Sequence, residues 1–182
     1  MIQIVVSKTA KSAIIAGHGV EVPLRFQVTD GVYLDPALPH PSPKQLEAAT
    51  DSFREYAAIF SMLEIATFSI EIIEPSSAKA LADRVWDALW LFHLASLASN
   101  SPTFSLYACS AGTKQFYCVA NRNLVVSPLK TIPTMTIEQM EWMKLHYPAF
   151  RSLIKDGRFA TAMRYFGNSP RRSVTEESNL FA

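Results

Sequence analysis

The sequence predicts an α+β fold: a mixed, largely antiparallel sheet packed with a long buried helix and followed by a C-terminal helical segment. Short segments in which polar and apolar residues alternate, such as TFSIEII at 67–73, are typical of strands with one buried face. Residues 76–99 have helical periodicity, and their second half is apolar on almost every side, which indicates a buried helix. Because strands and helices do not alternate regularly, a doubly wound parallel sheet is not expected.

Composition limits the class of protein. Of the 182 residues, 49% are hydrophobic and 18% are charged, which is enough apolar material for a sizeable core and argues against disorder. The net charge of +1 provides no overall attraction to nucleic acid or membranes. Neither a secretory signal nor a membrane span is predicted, because the uncharged stretch 88–113 is interrupted by SNSP. We therefore expect a cytoplasmic protein in which Cys109 and Cys118 are free thiols rather than a disulfide.

The first forty residues predict short strands. Four segments rich in apolar and β-branched residues are separated by turn residues: 2–6, 12–16, 20–28 and 31–34. Pro23 favours an edge position for the third segment, because proline cannot donate a hydrogen bond to a neighbouring strand. A proline-rich connector at 35–43 follows.

One helix is predicted after this connector. Ser42 suits its N-cap, Pro43 its first position, and Gln45 completes a capping box. Its buried face is predicted from apolar residues at helical spacing: Leu46, Ala49, Phe53, Ala57 and Phe60.

The middle of the chain predicts the long helix and a hairpin. The polar stripe of the long helix is Lys79, Asp83 and Asp87, and we interpret its carboxylates as solvated. Strands are predicted at 103–109 and 115–120, joined through Gly112, with a third at 124–126.

From residue 131 onward the pattern is helical. Thr136 and Gln139 form a capping box for a helix that is predicted to reach Leu145 and to be broken by Pro148. Further helical segments are predicted at 149–155 and 158–166. The chain is therefore divided into an α+β domain, 1–130, and a C-terminal helical segment, 131–182, which has the pattern of a truncated helical subdomain.

The end of the chain has the pattern of a helix that begins and is not completed. Ser173 and Glu176 form a capping box, yet only a few residues follow. Such a short helix is marginal in water. Its first apolar contacts are Leu180 and Phe181, and we expect a partner to cover them.

These residues resemble the entry into an Apea-like HEPN domain, over about residues 146–182. The matching pieces are Arg158-Phe159, Ala162, Arg164 and the turn RRSVTEES. The resemblance implies a module related to the region upstream of HEPN nucleases in prokaryotic defence or toxin systems. The Arg-x(4–6)-His motif of RNA-cleaving HEPN domains does not follow Arg158, so no catalytic residue is carried over.

The sequence does not match the other catalytic and metal-binding motifs that we considered. His18, His40, His93 and His146 lack the close spacing of zinc ligands, and no cofactor is expected. A pair of His93 with either cysteine is disfavoured, because neither thiol lies at a helix N-terminus that lowers its pKa. The two glycines at 17 and 19 lack the following helix of a phosphate loop. An enzyme with a pocket lined by Trp86, Trp90 and His93 is the least favoured alternative.

A basic region remains as the main charge feature. Residues 144–172 contain seven basic side chains and one acidic one, with aromatic residues between them. The basic residues are Lys144, Arg151, Lys155, Arg158, Arg164, Arg171 and Arg172. Such a surface can bind RNA, or it can pair with the acid-rich stretch 47–87 of the same or another copy, which we favour.

The sequence therefore predicts a non-enzymatic binding or regulatory module. We expect its α/β part to recognise a partner or ligand, and its C-terminal helices to mediate a homo-oligomer or a complex with another protein. The alternative is an RNA-binding protein that uses the basic 144–172 surface.

Overall fold

Six strands form one antiparallel sheet in the computed structural model, which describes residues 12–74, 76–111, 117–120, 131–163 and 165. The strands are β1 (Ser12–His18), β2 (Phe26–Thr29), β3 (Val32–Asp35), β4 (Phe68–Ile73), β5 (Phe104–Ala111) and β6 (Tyr117–Ala120). Their order across the sheet is β2-β3-β4-β1-β5-β6. The helices are α1 (Pro43–Ala48), α2 (Phe53–Ile65), α3 (Ala78–Ala88), α4 (Leu91–Ser99) and α5 (Ile137–Leu153). The predicted α+β class with an antiparallel sheet is confirmed.

Helices cover both faces of the sheet, as the central strand β1 shows. Ile15 belongs to a large core that includes buried residues of α3, α4 and α5. Its neighbour Ala16 points to the opposite face and belongs to a second core with Ile59 and Met62 of α2. Because successive strand residues face opposite sides, the sheet is the middle of three layers. The layer of α1 and α2 lies on one side, and that of α3 to α5 on the other.

The β2–β3 hairpin is fixed to α3 by Arg84. Gly31 in the turn has a φ of +68°, a conformation that favours glycine. One guanidinium nitrogen of Arg84 donates to the carbonyl oxygen of Asp30 at 2.9 Å, and its Nε lies 2.9 Å from Glu74 Oε2. Arg84 thus connects the hairpin turn, the end of β4 and α3.

The single helix predicted through Phe60 is wrong, although its capping box at Ser42 and Gln45 is confirmed. Helix α1 ends at Ala48, and α2 begins after Ser52, whose Oγ accepts a hydrogen bond from the Glu55 backbone nitrogen at 3.2 Å. Ser52 is therefore a second N-cap, at which a separate helix begins. The restart changes which side chains face the sheet, and Phe53 is 85% exposed instead of buried.

The long helix predicted at 76–99 is two helices, and its buried second half is confirmed. The backbone nitrogen of Trp90 donates to Asp87, and that of His93 donates to Trp90. These three-residue spacings tighten the backbone between α3 and α4. Phe92, the second residue of α4, packs against Gly17, where an added Cβ would lie 2.3 Å from its ring.

Helix α5 passes through Pro148, so the predicted break there is wrong. A proline inside a helix costs about 3 kcal/mol. Here it lies between Tyr147 and Phe150, both buried in the large core, and their burial offsets that cost. The predicted boundary at 130 lies outside the described residues, and on its C-terminal side α5 packs into the same core as the sheet. The strands predicted at 2–6 and 124–126 also lie outside them.

Candidate functional site

The structure describes four of the seven residues of the predicted basic surface. Lys144 lies over the Phe26 ring, with Nζ 5.7 Å from the ring centroid. Arg151 forms an ion pair with Asp87 on α3. Lys155 and Arg158 are exposed. The other predicted site residues lie outside the described residues: Arg164, Arg171, Arg172, Leu180 and Phe181.

These basic residues do not share one continuous helix. Helix α5 ends at Leu153, and a new helical segment covers 157–163. Asp156 begins the new segment, because its Oδ1 accepts hydrogen bonds from the backbone nitrogens of Arg158 at 2.8 Å and Phe159 at 3.4 Å. Arg151, Lys155 and Arg158 would share one helical face only on an uninterrupted helix, and the structure has an interruption at 154–156.

The thiol–imidazole pair of Cys109 with His93 is not assembled. Cys109 is buried in the core under α2, whereas His93 lies on α4, on the opposite side of the sheet. Desolvation by burial raises the pKa of the Cys109 thiol to about 12, so this thiol is protonated at neutral pH and is a poor nucleophile. The Cα atoms of Cys109 and Cys118 are paired between β5 and β6, and Cys109 is a free cysteine.

The pocket predicted between Trp86, Trp90 and His93 on α3 and α4 is not enclosed. Trp90 packs partly buried against the large core, with its ring 5.2 Å from that of His93. Trp86 is 49% exposed, so it does not enclose a pocket with them.

Within the described ranges, no group of three or more His, Cys, Asp or Glu side chains is placed to hold a metal ion. No described helix combines the length and apolar character needed to cross a membrane.

A cavity lies at the corner between α1 and α2, which we call the α1–α2 cleft. Its volume is about 460 Å³, and it is lined by Pro43, Glu47, Thr50, Asp51, Ser52, Phe53 and Tyr56. Local hydrogen bonds hold the corner: Thr50 Oγ1 donates to the Leu46 carbonyl at 3.0 Å, and the Asp51 backbone nitrogen donates to Glu55 Oε2 at 2.9 Å. The cleft therefore lies where α1 ends at Ala48 and the N-cap Ser52 starts α2 a few residues later.

An exposed row of aromatic rings extends from this cleft along α2. The rings of Phe53 and Tyr56 are nearly parallel, with an angle of 7° and centroids 6.5 Å apart. Phe60 continues the row at 6.4 Å from Tyr56 and 5°. Tyr56 packs partly on the core beneath, whereas Phe53 and Phe60 are exposed to solvent. Exposed aromatic side chains that form a contiguous row are a common feature of protein-binding surfaces.

The cleft is acidic as well as aromatic. Glu47 and Asp51 line it, both are exposed, and neither takes part in an ion pair between described residues. Arg54 is also exposed, but it does not line the cleft. The electrostatic field of the two carboxylates favours a cation, and the faces of Phe53 and Tyr56 carry the negative part of the ring quadrupole. The cleft is thus suited to a positively charged side chain.

The sequence contains a signal for this cleft that the single-helix interpretation missed. Ser52 is followed by Glu55 three residues later, which is the pattern of a capping box at the start of a helix. A helix start at residue 53 removes Phe53 from the buried face and creates a corner beside Glu47. The apolar periodicity from Leu46 to Phe60 concealed this interruption.

Comparisons with known proteins give no relative: no family model matches the chain, and no curated protein or solved structure matches it. The fold and the cleft therefore define a class only, an α+β protein with a three-layer arrangement and a helix-built surface cleft. The resemblance of residues 146–182 to the Apea-like HEPN entry stays a prediction.

Proposed function

We propose that this chain is a non-enzymatic binding module whose α1–α2 cleft receives an arginine or lysine side chain of a protein partner. The observation that carries the proposal is the placement of two exposed carboxylates, Glu47 and Asp51, beside the exposed ring of Phe53 and the half-buried ring of Tyr56. These groups attract a cation by two independent effects, the Coulomb field and the ring quadrupole.

The aromatic row supports a peptide segment rather than a small free cation. Phe60 lies beyond the cleft on the same row, and it is 48% exposed. A chain segment whose basic side chain enters the cleft has apolar residues beside it that can cover Phe53 and Phe60. Burial of this apolar surface adds to the cation contact, at about 25 cal/mol per Å² removed from water.

We further propose the kind of biological system in which the module acts. The likeness of residues 146–182 to the region that enters HEPN domains supports a role in a prokaryotic defence or toxin-type system. Recognition of a partner protein through the α/β part is consistent with such a role, and it requires no catalytic group.

RNA binding through residues 144–172 is the alternative. Lys155 and Arg158 are exposed and available for phosphates, whereas Arg151 is engaged with Asp87. The exposed acids Glu138 and Glu141 also lie on α5, and they repel a phosphate backbone. These features make RNA the weaker of the two proposals.

Titration of the isotope-labelled protein with short capped peptides, observed by NMR, tests the proposed function. The peptides contain one arginine, one lysine or, as the neutral control, one glutamine between glycines. We expect the cationic peptides to shift backbone signals of residues 43–56, and to do so less at high salt because screening weakens exposed charge contacts. If all three peptides give the same small shifts, the cleft does not select cations and the proposal is wrong.

A further inference from the structure

Helix α5 carries an apolar stripe on the side that faces away from the core. Met140, Met143, Tyr147 and Phe150 are the buried residues of the helix. At 100° per residue, Trp142, Leu145, Ala149 and Leu153 lie together on another side, and all four are exposed. Leu145 is 75% exposed, which is unusual for a leucine in the middle of a long helix. We call these four residues the outer stripe.

Opposite charges lie at the two ends of the outer stripe. Glu138 and Glu141 come just before its first residue, Trp142. Lys155 and Arg158 come just after its last residue, Leu153. All four charged side chains are exposed, and among the described residues none of them forms an ion pair. The stripe therefore has an acidic end and a basic end.

We propose that a second copy of this chain docks on the outer stripe, with the two α5 helices antiparallel about a two-fold axis near residues 145–149. An antiparallel pair places the acidic end of each helix beside the basic end of the other. A parallel pair would place like charges together at both ends, which is unfavourable. The charge arrangement of one helix thus matches its own copy in the antiparallel direction.

The spacing of the stripe fits such a pair. From Trp142 to Leu153 the helix rises about 16 Å, and the four residues recur at the three- and four-residue intervals by which helices pack. In the antiparallel arrangement Leu145 meets Ala149 of the other copy, and Glu141 approaches its Lys155. A contact of this size gives a weak, concentration-dependent dimer, with a Kd on the order of micromolar or above.

This surface is separate from the α1–α2 cleft. Helix α5 covers one face of the sheet, and α2 covers the other. A substitution in one surface leaves the other in place, so self-association and recognition of a cationic side chain can be tested separately.

Sedimentation equilibrium of the full chain, from about 10 µM to about 1 mM, tests this proposal. We expect the average mass to rise from the 20.3 kDa of one chain toward twice that value, and Leu145→Glu to raise the Kd at least about tenfold. Phe53→Glu, an apolar-to-acidic change at another strongly exposed position on α2, is the matched control and should leave the Kd unchanged. Circular dichroism verifies that each variant is folded.

The orientation is tested by exchanging charges. Glu141→Lys and Lys155→Glu each place like charges together in an antiparallel dimer, and each should weaken association about tenfold. The double variant restores opposite charges and should recover most of the wild-type affinity. A wild-type chain that stays monomeric to about 1 mM, a Leu145→Glu variant that dimerises as the wild type does, or a double variant no stronger than the singles would each overturn the proposal.

Discussion

Arg151 on α5 forms an ion pair with Asp87 on α3, so one cation of the predicted basic surface is neutralised within the chain. The sequence had allowed two partners for the basic region, RNA phosphates or the acid-rich stretch 47–87, to which Asp87 belongs. The Arg151–Asp87 contact is one pairing between the basic region and the acid-rich stretch of the same chain. Exposed pairs of this type contribute little to stability, about 0–1 kcal/mol, but they reduce the charge available to a polyanion.

We therefore expect no strong, salt-dependent binding of RNA. The measurement is a gel shift with a mixed-sequence single-stranded RNA at about 20 mM and about 200 mM salt. Binding at low salt that collapses at high salt, and that weakens on Arg171→Ala with Arg172→Ala, would favour the RNA alternative instead. Arg25→Ala is the control, since Arg25 pairs with Asp35 and Glu71 on β3 and β4, outside residues 144–172.

The hairpin turn at Gly31 provides a prediction about stability. With a φ of +68°, a Cβ at this position would lie 2.4 Å from Arg84 Nη1 and 2.6 Å from the Ile73 carbonyl oxygen. Gly31→Ala should lower the free energy of unfolding by about 1–3 kcal/mol, because it combines backbone strain with loss of the Arg84 contacts. Urea denaturation measures this change.

Gly157→Ala is the matched control for that substitution. Gly157 lies in the helical segment 157–163, and no atom is within 4 Å of an added Cβ. Alanine favours a helix over glycine by up to about 1 kcal/mol, so Gly157→Ala should be neutral or stabilising. Equal losses of stability in the two variants would contradict the conformation described for the hairpin.

Because the Cys109 thiol and the Tyr147 hydroxyl are buried, we expect the free energy of unfolding to fall at alkaline pH. Burial raises the pKa of the Cys109 thiol to about 12, and burial, aided by Asp87, raises the pKa of Tyr147 to about 12 as well. In the unfolded chain these groups lose their protons at about pH 8.5 and about pH 10. Their stabilising contribution is therefore complete below about pH 8.5 and decreases as the pH rises toward 12, because the unfolded state binds fewer protons there.

Urea denaturation between pH 7 and pH 11 measures this loss. In Cys109→Ala the decline should begin near pH 10 rather than near pH 8.5. In Tyr147→Phe the decline should begin as in the wild type and be shallower above pH 10. If both variants follow the wild-type curve, the two groups are not the origin of the alkaline sensitivity.

Most of the sheet was predictable, because its signals are local. The alternation in 67–73 and the turn residues Asp30-Gly31 indicate β4 and the β2–β3 hairpin directly. The capping boxes at Ser42 and Thr136 identify helix starts through side chains three residues apart. Such patterns are decided by residues close in sequence.

The interruptions of the helices were less predictable, because packing decides them. Pro148 normally ends a helix, yet Tyr147 and Phe150 on either side of it are buried in the core and keep α5 continuous. Between α3 and α4 there is neither glycine nor proline, and the tightening at Trp90 accompanies the packing of Phe92 on Gly17. The α1–α2 cleft depends on an interruption of the same kind, so the sequence led to the basic surface and not to the cleft.

The most direct measurement of the central claim is calorimetric titration of an arginine-containing peptide into the wild type and two cleft variants, Phe53→Ala and Glu47→Gln with Asp51→Asn. We expect each cleft variant to lower the affinity at least about fivefold and Leu145→Ala on α5 to leave it unchanged. Equal affinity in the wild type and both cleft variants would contradict the claim that the α1–α2 cleft binds a cationic side chain.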